Sequence, residues 1–131
     1  MTFRLTVLTA IAMLLPSGAA FAAEPVSFAK DIVPVLRTEC AVCHLTGNEA
    51  GNIALAPKVA YANLVGVPAK EGKMLRVKAG SPDESYLVHK LDGTHLNVGG
   101  KGSQMPFGAE PLDPAIRAKI RAWIKAGAPN N

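Results

Sequence analysis

The chain has 131 residues, with 14 Lys and Arg against 10 Asp and Glu for a formal charge of +4. That length holds one small domain and little else. The cations are not interleaved with aromatics and no nucleic-acid-binding module is present, which argues against a nucleic-acid partner.

Residues 1–22 read as a secretion leader rather than as part of the fold. Met1 to Arg4 is a short basic end, Leu5 to Leu15 is uncharged, and Pro16-Ser17-Gly18 breaks the run ahead of Ala20-Phe21-Ala22, a small-x-small cleavage pattern. The apolar run is too short to cross a bilayer, which takes roughly 20 residues, and no later stretch approaches that length. The expectation is cleavage near Ala23, export to the periplasm without stable membrane insertion, and residues 23–131 as a single domain. Loss of Arg4 leaves 13 basic residues against 10 acidic ones, a formal +3.

Within Ser27 to Cys40, Ile32, Val33, Val35 and Leu36 form an apolar cluster. Pro34 suits a first helical turn and Asp31 stands where a cap would. The spacing predicts a helix from about residue 32 that delivers Cys40 at its end. Residues 45–56, rich in Gly and Asn, read as a loop that wraps something, and residues 57–64 as a short helical piece. Residues 66–78 have no clean period and read as loop. Lys70, Lys73, Arg76 and Lys78 lie there, broken only by Glu71, as a solvated stretch or a docking patch for an acidic partner.

Ser81-Pro82-Asp83-Glu84 has the form of a capping box with proline at the first helical position. Tyr86, Leu87 and Leu91 follow at helical spacing, and Gly93 stops the run. Residues 93–112 hold too much glycine and proline for a regular element, and long loops in small domains tend to be functional. Asp113 then caps and Pro114 opens a last helix, with Ile116, Ile120, Trp123 and Ile124 on one face and Gly127 as its close. Without strand-like alternation, the predicted fold class is all-α, about four short helices with long loops. So small an apolar inventory calls for a staple, whether disulfide, metal or cofactor.

Cys40-Ala41-Val42-Cys43-His44 carries the chemistry, as a C-x-x-C-H haem c attachment pattern. Two thiols at this spacing can each add across a vinyl group on one porphyrin edge, and the adjacent His44 can offer its imidazole to the iron. The motif follows a secretion signal, in the compartment where such attachment occurs. A Cys40–Cys43 disulfide of thioredoxin type would want a strand-helix-strand context, which the pattern lacks. A structural zinc would need four ligands and would have to recruit His89 and His95 from distant segments. A haem with two propionates would bring the mature charge close to +1.

Met74, Met105, His89 and His95 are the possible second axial ligands. Met105 is favoured, because Pro106 holds it in extended backbone and the surrounding glycines let the chain pass close to a flat ring. His95, in the same loop, is its rival and would lower the potential. Met74 reads as a surface or core-edge residue, and His89 as an exposed or satisfied histidine.

Three segments, SFAKDIVPVLRTECAVCH, AGSPDESYLVHKL and QMPFGAEPLDPAIRAKIRAWIKAGA, resemble the class I c-type cytochromes, in particular the planctomycete-type cytochrome c domain. The similarity spans nearly all of the mature chain. It implies one haem c per chain, bound covalently through Cys40 and Cys43, with His44 and Met105 as axial ligands of the iron. It also implies a small cytochrome c-like fold in which the C-terminal helix packs on the N-terminal one, with Trp123 at that contact or near the haem edge. Residues 93–103 depart from the pattern as a polar, loose stretch. The implied activity is one-electron transfer by a carrier, not an enzyme, between a redox donor and an acceptor protein. A haem-based small-ligand sensor and a haem-bearing subunit of a redox enzyme are the alternatives.

Overall fold

Pro34 stands inside the first helix, not at its start. The computed structural model describes residues 24–131, so the expected leader and its expected cleavage site lie outside the described residues. Helix α1 (28–40) is a continuous run of a π-wound turn Phe28–Ile32, an α turn Val33–Val35 and a second π-wound turn Leu36–Cys40. Proline has no amide hydrogen to give, and on either side of it the amides of Val33 and Ala41 reach five residues back, to Phe28 and Leu36. The cap is Ser27 rather than Asp31: the Ser27 hydroxyl accepts from the Lys30 amide, while the Asp31 carboxylate accepts from the amide of Ser27. Starting earlier buries Phe28, which with Ile32 and Leu36 forms the inner stripe of α1.

Helix α2 is shorter than the sequence predicts, Ala60–Leu64, and buries Ala60 and Leu64. Residues 65–77 form no strand; the chain is held by isolated bridges pairing Val65 with Val77, Pro68 with Leu75, and Leu75 with Ser85. The capping box at Ser81 does not form. Pro82–Glu84 is a separate 3₁₀ turn, Ser85 is extended, and helix α3 runs Tyr86–Asp92. The side chains of the box are engaged elsewhere, Glu84 with Lys78 and Asp83 with Arg121. Ser85 does the local bonding, its hydroxyl donating to the Ser81 carbonyl and accepting from the Lys78 amide. Gly93 ends α3 in the left-handed region at φ 72°, a position favouring glycine. The following loop contains one 3₁₀ turn, His95–Val98, and the peptide bond between Met105 and Pro106 is cis.

Helix α4, Pro114–Lys125, is capped by the Asp113 carboxylate, which accepts from the Ala115 amide at 2.7 Å. It packs on α3 and on the first turn of α1. Trp123 is fully buried there, its ring 5.3 Å from that of Phe28, which meets Tyr61 edge-on at 5.2 Å. The Trp123 indole N–H donates to the Pro129 carbonyl, and the Asn131 carbonyl accepts from Ala29. The core joins these rings to Ile32, Leu36, Leu64, Val88, Leu91 and Ile120, so the helical fold class stands. Among the described residues no helix is long and apolar enough to cross a membrane.

Candidate functional site

The end of α1 sets the first wall of the site. As the helix runs out, the amides of Cys43 and His44 turn back to the Cys40 carbonyl, at 3.1 and 2.9 Å. The Leu55 amide then donates to the His44 carbonyl at 2.7 Å, closing the 45–54 segment into a loop rooted on the histidine. Glu49 braces the inside of that loop: its carboxylate accepts from the amides of Thr46 and Gly47 and from the Thr46 hydroxyl. These bonds, the Glu49 backbone amide foremost, hold the carboxyl down at about 2.

Cys40, Cys43, His44 and Met105 line one cavity of about 600 Å³. That volume falls within the roughly 300–1,000 Å³ of cofactor and ligand sites. Its floor is apolar, from Ile53, Leu55, Leu64, Leu87 and Leu91, and Val42 and Phe107 line it while remaining largely exposed, at 77% and 74%. Both cysteines are free thiols, Cys40 half-buried and Cys43 exposed. Burial, with Glu39 nearby, pushes the Cys40 thiol up to about 11. That is the opposite of the depressed value a redox-active thiolate needs. Among the described residues no three His, Cys, Asp or Glu side chains cluster as a metal site would require.

His44 Nδ1 is buried without a hydrogen-bond partner. The other two histidines are held elsewhere. His89 uses both ring nitrogens, Nδ1 with the Thr94 hydroxyl at 2.8 Å and Nε2 donating to the Asp83 carbonyl at 2.9 Å. His95 is buried, donates from Nε2 to the Gly102 carbonyl at 3.0 Å, leaves its Nδ1 without a partner as His44 does, and does not line the cavity. Met74 is half-buried and lies off the cavity wall. Of the four sequence candidates for a second ligand, Met105 alone shares the cavity with His44.

Two buried cations on the wall are absent from the sequence-derived site. Arg76 belongs to the cationic run but is buried, and its guanidinium donates to the carbonyls of Asn63, Gly51 and Asn52 at 2.8, 3.1 and 2.8 Å. Desolvation lowers its pKa, and no carboxylate among the described residues pairs with it. It therefore leaves the expected docking patch and ties the loop after His44 to α2. Its neighbours Leu75 and Val77 are the only sequence hint, an arginine between two apolar residues in an otherwise polar run. Lys90 is likewise buried; it lies four residues after Tyr86, on the same face of α3, and both line the cavity. Comparison with protein-family models, curated proteins and solved structures finds no match to this chain.

Proposed function

We propose that the chain is an exported mono-haem c-type cytochrome of cytochrome c-like fold that carries single electrons between redox proteins. The observation that carries this is the meeting of the C-x-x-C-H residues and Met105, from distant segments, on one apolar cavity. A haem bound there supplies one-electron cycling between ferric and ferrous iron, at a potential set by its ligands and surroundings.

The residues present fit such a group. Cys40 and Cys43 offer two thiols for covalent attachment, and no disulfide engages either one. His44 offers an imidazole whose buried nitrogen has no competing partner. Arg76 brings to the wall a buried positive charge without a carboxylate, suited to a cofactor that carries two. Met105, on the same cavity as His44, would hold the iron together with it, and a haem held by both residues would carry electrons rather than bind oxygen or a substrate, which favours a carrier over an enzyme or sensor. Exposed Lys70, Lys73 and Lys101 border a neighbouring cleft and give an acidic redox partner a surface to approach.

Replacing Met105 tests this directly. The wild-type holoprotein is expected to show the far-red thioether-to-iron charge-transfer band when ferric and to bind carbon monoxide slowly when ferrous. Met105→Ala should lose the band and bind the gas rapidly while keeping acid-stable haem. A wild-type protein that already binds carbon monoxide rapidly is a sensor or enzyme, and the carrier assignment falls.

A further inference from the structure

Met105 lies in a loop with little regular structure, yet this loop is fastened along α3 at closely spaced points. The Met105 amide donates to the Lys90 carbonyl at 2.9 Å, and the Gln104 side chain donates to the Leu91 carbonyl at 3.0 Å. The Lys90 ammonium reaches the Lys101 carbonyl at 3.0 Å and the Glu71 carboxylate at 3.2 Å. One residue of α3 thus holds both ends of the 101–105 stretch, one with its backbone and the other with its side chain. Tyr86, one turn earlier, donates its hydroxyl to the Glu71 carbonyl at 3.1 Å and accepts from the Lys101 amide at 3.3 Å. Gly100 is pressed so closely on this tyrosine that a Cβ would come within 2.5 Å of its hydroxyl.

The Lys90 side chain is only 9% exposed, and its one carboxylate partner is 34% exposed. Burying an ammonium carries a desolvation penalty that an apolar side chain of similar length would avoid. Methionine could fill the same space beside Tyr86 but could not hold the Lys101 carbonyl. Simple packing therefore does not account for a lysine here.

We infer that Lys90 is a positioning residue which, clasped to Glu71 and Lys101, fixes the Met105 loop so that the thioether is presented to the cavity. The inference rests on the haem assignment and adds the device that keeps the second ligand in place. Without the clasp the bonds from Met105, Gln104 and the Lys101 amide remain, but the 101–103 stretch is held less tightly to α3 and the thioether dissociates more often.

The test uses holoproteins of wild type, Lys90→Met, Lys90→Arg and Glu71→Gln. Haem attachment is read after denaturation, thioether ligation from the ferric far-red band, and ligand opening from the rate of carbon monoxide binding to the ferrous form. Lys90→Met should keep its haem, lose much of the band and bind carbon monoxide about ten-fold faster, the scale set by loss of one charged hydrogen bond. Lys90→Arg should recover most of the band, and Glu71→Gln should move both readouts the same way by less. A Lys90→Met protein that melts earlier with its band and binding rate intact would show a merely structural lysine and overturn the inference. If Lys90→Met yields no holoprotein, unchanged readouts in Glu71→Gln overturn it equally. Attached haem without the band in wild type would overturn the Met105 assignment together with the clasp, whereas a band lost only in the variants separates the two.

Discussion

At the scale of single residues, identity and burial together decide which of several similar side chains can act. Three histidines are present: His89 has both nitrogens engaged, and His44 and His95 each keep a buried Nδ1 without a partner, but His95 is tied through Nε2 to Gly102 and lies off the cavity, which His44 lines. A sequence pattern distinguishes His44 by its place beside Cys43, but it cannot reveal that His95 is bonded away from the cavity. Glu49 shows how one carboxylate fixes the loop that starts at His44. Its folded pKa, about 2, lies below the ordinary 4.5, so its contribution is fully present above the unfolded value and lost as pH falls toward 2. The Thr46 and Gly47 amide resonances should therefore titrate with a midpoint near 2. Glu49→Gln should abolish that titration; a midpoint at the ordinary glutamate value would mean that the loop is not braced this way.

At the scale of elements, local signals succeed where they agree and fail where side chains have a better partner at longer range. Helix α4 is legible because its cap, its opening proline, its apolar stripe and Gly127 all point to one element. The expected box at Ser81 has the right residues, but Asp83 and Glu84 are drawn to Arg121 and Lys78, and the hydroxyl that bonds locally belongs to Ser85. The early start of α1 is hidden because Pro34 suggests a first turn, while π-wound turns let it sit inside. Helices α3 and α4 are joined through Asp92, whose carboxylate accepts from Arg117 and Arg121, each at 2.8 Å. Desolvation pushes this carboxyl up, but the bonds from Arg121 and Arg117 outweigh it and the net shift is downward. The stabilisation is therefore present above the ordinary aspartate pKa and fades as pH falls through the lowered one. Asp92→Asn should cost about 1 kcal/mol near neutral pH, a figure kept small because the Arg121 side chain is 40% exposed. The difference should shrink in acid, as read by urea denaturation at several pH values. Equal stability of the two proteins at neutral pH would show that the pair contributes nothing to the α3–α4 contact.

At the scale of the whole molecule, the fold has two apolar regions, one packed and one open. One is filled by its own side chains, Phe28, Trp123, Ile120 and Ile124, where α1 meets α4. The other is the cavity of about 600 Å³ beside Cys40 and Met105. The sequence makes both readable in part: the helical stripes give the first, and C-x-x-C-H with the glycine-rich loop gives the second. The supports of the second, Arg76 and Lys90, are not readable, because both look like ordinary surface cations until the chain closes on them. A chain matured in a periplasm equipped for haem c assembly settles whether that cavity holds what its walls propose. Intact mass after acid and organic extraction should give the mature chain plus one covalently retained haem, with neither cysteine open to alkylation. Recovery of the bare chain with Cys40 and Cys43 both alkylated would contradict the account.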